Sequence, residues 1–163
     1  MSEPQVKVLF RLVPDEDGYP PFDTEGLWAT PVAPGRYRLD NIPFFAAEVA
    51  FGDVVTAEPE ERGLFVSGVV DHSGHSTFRV MTSDVSMNEG LRDRLTKWGC
   101  EVEIGNSPTF LAVDVPPKSD LVAIQAFLEQ GTTDGSWDYE EACLAAAESS
   151  NGGSTLETNQ PPR

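Results

Sequence analysis

Residues 77–104 read TFRVMTSDVSMNEGLRDRLTKWGCEVEI, and this stretch decides the fold. Thr77-Phe78-Arg79-Val80-Met81 is a short extended run with Phe78 and Val80 on one face. Ser86 stands three residues before Glu89, the spacing of a capping box. Leu91, Leu95 and Trp98 then recur at i, i+4 and i+7, one face of a helix. Gly99 is placed to end that helix. Cys100, Val102 and Ile104 alternate with Glu101 and Glu103, the pattern of a half-buried strand. The stretch is therefore strand, helix, strand.

Toward the C-terminus, Gly105 to Pro108 turn the chain into Phe110-Leu111-Ala112-Val113-Asp114-Val115, a stronger strand expected to be central. Pro116-Pro117 ends it. Ser119 or Asp120 caps a second helix, with Leu121, Ile124 and Leu128 on one face and Gly131 at its close. Trp137-Asp138-Tyr139 reads as a short edge strand. The order β-α-β-β-α-(β) is that of the ferredoxin-like split βαβ unit, assigned to residues 76–143. Residues 144–163 are mostly Ser, Gly, Asn, Thr and Pro beyond a short alanine run, and are expected to be a disordered tail.

Toward the N-terminus, residues 5–75 read as β-rich. Val6, Val8, Phe10 and Leu12 alternate with Lys7, Leu9 and Arg11. Gly26–Val32 and Arg36–Leu39 form a hairpin across Pro34-Gly35. Pro43–Val49 suits one short helical turn, with Pro43 at its first position. Val54–Ala57 and Leu64–Val70 flank the polar turn Glu58–Gly63. Five short strands with close turns predict a small SH3-like barrel whose core takes most of Phe22, Trp28, Tyr37, Phe44, Phe45 and Phe51. The expected fold class is thus α+β, a β-barrel-like part at 5–75 packed on a ferredoxin-like part at 76–143.

The chain has 163 residues, with 11 Lys and Arg against 27 Asp and Glu, a net charge of −16. The excess is even: 13 acids against 5 bases in residues 1–75, and 14 against 6 in residues 76–163. Such a field repels phosphate backbones and speeds encounter with basic partners. No apolar run approaches the roughly 18 residues of a spanning helix. Met1-Ser2-Glu3-Pro4 lacks the basic and apolar regions of a signal peptide, so a cytoplasmic protein is expected. The two cysteines, Cys100 and Cys143, fit a reducing compartment, and Cys100 falls on an apolar register.

The chemistry-bearing motifs are few. Phosphate-loop, dinucleotide, nucleophile-elbow and zinc-protease patterns do not occur. His72 and His75 flank Ser73-Gly74, and with Asp71 they supply too few ligands for a metal site, so no metal or cofactor is expected. His75-Ser76-Thr77 matches one His-x-Thr element of two-histidine phosphoesterases, which need a second that this chain lacks. His75 remains a candidate general acid or base, with His72, Ser76 and Arg79 as neighbours. Trp28 and Tyr37, if they face outward, are candidate partner anchors. Trp137, Tyr139, Glu140 and Glu141 form a second aromatic-acidic cluster suited to a basic peptide.

Six stretches carry a family resemblance: Gly26–Ala29, Tyr37–Ala46, Gly52–Val55, Ser73–Thr77, Leu111–Pro116 and Trp137–Cys143. Together they resemble an uncharacterised bacterial family, number 4265 in the domain-of-unknown-function series, over about residues 6–144. Asp40-Asn41-Ile42-Pro43-Phe44-Phe45 is the most specific part. The resemblance implies a bacterial protein forming one compact unit, and it implies no catalytic residues.

The reading that follows is a non-enzymatic acidic protein that binds a basic macromolecular partner, an inhibitor or immunity protein being one form. The alternatives are a small hydrolase or nuclease using His75, and a regulator binding a small molecule in an apolar cavity between Trp28 and the helix bearing Trp98.

Overall fold

The computed structural model describes residues 4–145. Five strands come first: β1 (Val6–Arg11), β2 (Thr24–Ala33), β3 (Arg36–Leu39), β4 (Val54–Glu60) and β5 (Gly63–Asp71). Then follow β6 (Ser76–Thr82), α1 (Asn88–Lys97), β7 (Glu101–Ile104), β8 (Phe110–Val115), α2 (Leu121–Asp134) and β9 (Trp137–Cys143). The protein is mixed α+β, mostly sheet, with two helices among the described residues.

Strands β1 to β5 pair in chain order, each antiparallel to the next. β5 returns to β1 in parallel through Val8↔Leu64 and Leu9↔Phe65, so the sheet closes on itself. Its interior is mainly aliphatic, with Val8, Leu27, Ala29, Leu39 and Val55 all buried. Phe22 and Trp28 do not enter it and stay about half exposed. Phe44 and Phe45 stack on Phe110 of β8 instead, at 5.6 and 5.7 Å between centroids. A ring of five strands holds few aromatic rings, so Phe44 and Phe45 reach the junction with the second sheet, while Tyr37 packs against the ring core and Trp28 faces outward.

The second sheet runs β7-β8-β6-β9, antiparallel throughout. One face carries Phe78, Val80, Leu111 and Val113, covered by Leu91 and Leu95 of α1 and Ile124 and Leu128 of α2. The other face carries Thr77, Arg79, Ala112 and Asp114, and is buried too. The 40–53 segment between β3 and β4 lies over it: Thr77 Oγ1 donates to the Val49 carbonyl at 3.0 Å and Arg79 donates to the Ala46 carbonyl. Cover on both faces explains why Phe110–Val115 reads as a near-continuous apolar run.

Three local expectations change. Pro43–Val49 forms no helical turn. The Glu25 carboxylate on β2 takes its amides, accepting from Phe44, Phe45 and Ala46 at 2.7, 3.0 and 2.8 Å, so an irregular path is satisfied without a helix. Ser86 is not the cap of α1: Asp84 caps a short 3-10 turn over Val85–Met87 by accepting from the Ser86 amide, and α1 starts after it. Gly131 does not end α2, which runs to Asp134 and closes at Gly135 with φ +81. Gly99 does end α1, at φ +91. Leu144 and Ala145 apart, the tail expected to be disordered lies outside the described residues.

Candidate functional site

The two histidines diverge. His75 Nδ1 faces both oxygens of Asp114 on β8, at 2.8 and 3.0 Å, and its ring packs on Phe51. Asp114 is buried; burial pushes its carboxyl up, and the His75 contact opposes that shift. His72 is exposed and reaches the buried Asp53 at 3.4 Å. Asp53 itself accepts from the Ser73 and Ala50 amides at 2.8 and 3.0 Å. Ser76 is buried and its Oγ accepts the Ala145 amide. Arg79 lies four residues beyond His75 along an extended run, about 13 Å away. His72, His75 and Arg79 thus serve three separate partners and do not converge. Among the described residues no three His, Cys, Asp or Glu side chains come together as metal ligands.

What does converge lies along β9, an edge strand. Tyr139, Glu140 and Glu141 meet Glu48 from the 40–53 segment, Glu129 from α2 and Arg79 around a hollow of about 750 Å³. Glu48 holds a left-handed backbone, φ +63, and its amide donates to the Ala142 carbonyl at 2.9 Å, fixing the segment to the strand. Tyr139 OH donates to Glu141 at 3.1 Å; burial, then Glu141 and Glu129, push the phenol up to about 12, so it stays a donor. Arg79 is only 6% exposed. It contacts Glu140 at 3.4 Å and the Ala46 carbonyl, while its Nε has no partner among the described residues. Burial lowers its pKa from the usual value, and the Glu140 and Glu25 charges work against that fall. With one cation already engaged among four glutamates, the hollow presents negative charge.

A smaller hollow of about 230 Å³ shares Arg79, Tyr139 and Glu140 with the acidic one and adds Tyr19, Met81 and Asp138. Tyr19 and Met81 in turn line a third, largely apolar cleft of about 520 Å³ between the two sheets, walled by Phe22, Phe44, Phe45 and Phe110. Each shares lining residues with the next: Arg79, Tyr139 and Glu140 between the first two, Tyr19, Met81 and Phe110 between the last two. This cleft is not the cavity foreseen between Trp28 and Trp98. Trp98 stacks on Phe127 of α2 at 5.5 Å on the helical side of the sheet, and Trp28 lines none of the three hollows.

The other aromatic candidates are engaged within the fold. Trp28 faces outward under Lys7 Nζ, 4.7 Å from the ring centroid. Tyr37 packs against the ring core. Trp137 donates its indole N–H to the Leu128 carbonyl at 3.0 Å and stacks on Phe127. Of the sequence candidates, Tyr139, Glu140, Glu141 and Arg79 meet in one place, and Trp28, Tyr37 and Trp137 do not. Glu48, Glu129 and Tyr19, which join the groove, and Asp114, which joins His75 elsewhere, do so through contacts far away in the chain that no local pattern announces.

Both cysteines are buried and free. Burial pushes Cys100 up to about 12 and Cys143 up to about 11, with nearby carboxylates adding to each. A thiol-reactive dye at neutral pH is therefore expected to label neither in the folded protein and both in urea. Fast labelling without denaturant would contradict this.

No helix among the described residues is long and apolar enough to cross a membrane. No curated protein matches the chain. A crystal structure of a hypothetical protein from Neisseria gonorrhoeae is similar to it, with a TM-score of 0.74 and 23% identity over 90% of this chain and 98% of that one. At that identity the likeness is one of fold. Residues 25–139 match the family described as Domain of unknown function (DUF4265), and the chain belongs to that family.

Proposed function

We propose that the protein is a non-enzymatic acidic binding protein whose partner is a basic macromolecule, in the manner of an inhibitor or immunity protein. The observation that carries this is the gathering of Glu48, Glu129, Glu140 and Glu141 around one open groove beside an edge strand. Such a groove focuses a field that draws in a cationic surface, on a chain whose net charge is −16. The enzyme reading pairs His75 with Arg79, Ser76 or His72, and the separate ties of these side chains to Asp114, Glu140, the Ala145 amide and Asp53 lend it no support. The order and antiparallel pairing of β6–β9 support a ferredoxin-like description of residues 76–143, and the short closed ring supports an SH3-like one for residues 5–75. Two free cysteines go with a cytoplasmic location.

The test is affinity capture from host lysate at low and moderate salt, with the wild-type chain beside the Glu140→Lys/Glu141→Lys variant. Wild type is expected to retain a basic protein in stoichiometric amount at low salt, with an association rate at least about tenfold lower at moderate salt. The variant is expected to lose it. Equal capture by both chains, or capture indifferent to salt, would overturn the reading.

A further inference from the structure

The acidic groove explains charge preference and leaves the cleft beside it unused. Tyr19, Phe22, Met81 and Ile104 come from three separate stretches of chain, and each keeps close to half its surface in solvent. All four line the same cleft. Large apolar side chains gathered in one exposed place mark a contact surface. Its far wall is prebuilt: Glu25 fixes the amides of residues 44–46, and Phe44 and Phe45 stack on Phe110. A wall that needs no reordering lowers the cost of binding. At about 520 Å³ the cleft is of the size that encloses a compact apolar group.

The β6–β9 ladder sets the ruler. Met81, at the apolar end, pairs with Asp138; Arg79 pairs with Glu140, two steps on; the acidic hollow then continues to Ala142. From Asp138 to Ala142 is four residues of strand, about 13 Å. A small apolar ligand would fill the cleft and leave the four glutamates idle, whereas a chain lying along β9 uses both ends.

We propose that the groove reads an extended basic segment of the partner bearing one large apolar side chain. That side chain sits among Phe22, Phe44, Phe110 and Met81, and Lys or Arg about four residues away meets Glu140, Glu141, Glu48 and Glu129. This rests on the binding reading above and specifies what the partner must present.

The test uses a random peptide library displayed on phage, selected at low salt on the full chain. The enriched peptides are expected to combine Lys or Arg with one large apolar residue about four positions away. Phe22→Ser and Met81→Gln alter half-exposed side chains, and an unchanged urea midpoint checks that each variant keeps the fold. Each is expected to weaken the best peptide at least about tenfold, as losing a buried large side chain would. Glu140→Lys is expected to abolish binding. Basic peptides enriched without an apolar residue, or unmoved by Phe22→Ser and Met81→Gln, would overturn the two-ended segment and leave the basic-partner reading standing. Absence of any basic enrichment would overturn both.

Discussion

Gly131→Ala is expected to destabilise the fold by about 2 kcal/mol, although it replaces glycine by the best helix former inside α2. On propensity alone the change would stabilise by about 1 kcal/mol. A Cβ at residue 131, however, would stand 2.0 Å from Cε2 and 2.1 Å from Cζ2 of Trp137. The indole cannot swing aside freely: its Nε1 donates to the Leu128 carbonyl and its ring stacks on Phe127 at 5.5 Å. Overpacking of a fixed ring costs about 1–3 kcal/mol or more and outweighs the helical gain. The measurement is the urea midpoint of the single variant and of Gly131→Ala in a Trp137→Ala background, where the penalty is expected to vanish. An unchanged midpoint in the single variant would show that the indole moves.

His75→Ala is expected to cost about 3 kcal/mol at neutral pH, because it leaves the buried Asp114 carboxyl without its hydrogen-bond partner. Asp114→Asn in the same background is expected to recover most of that loss, since it removes the charge that needed pairing. The pH dependence follows from the direction of the shift. Burial raises the folded-state carboxyl above its unfolded value, and without His75 nothing opposes the rise. The folded state then holds the proton more tightly than the unfolded chain does. The variant is therefore most stable in acid, and its stability falls as pH climbs through the folded-state pKa. Urea midpoints across that range decide the matter. A deficit equal in acid and at neutral pH would mean that the imidazole fills space and compensates no charge.

Much of the fold was legible because it is written locally. The strand-helix-strand reading of residues 77–104, the second helix and the edge strand at Trp137 all stand, since period and turn chemistry sit within a few residues. Two of the failures share one cause. Pro43–Val49 carries a helix-start signal, yet Glu25, about twenty residues earlier, takes its amides. Gly131 carries a helix-end signal, yet the glycine is there for an indole six residues later. In both places a tertiary partner overrides local preference. The site divides the same way. Tyr139, Glu140 and Glu141 were found because they are consecutive; Glu48, Glu129 and Tyr19 reach the groove only through folding.

The segment over the second sheet has an evolutionary corollary. Glu25 belongs to the ring and Arg79 to the other sheet, yet both grip residues 44–46. Ser73-Gly74 is the short connection between the sheets, but a second sheet inherited without the first would leave Arg79 without the Ala46 carbonyl and Thr77 without that of Val49. The two sheets therefore depend on each other for their buried polar contacts. They are expected to be shuffled, duplicated or lost together, and a change in the Pro43–Val49 lineage must be tolerated by both at once.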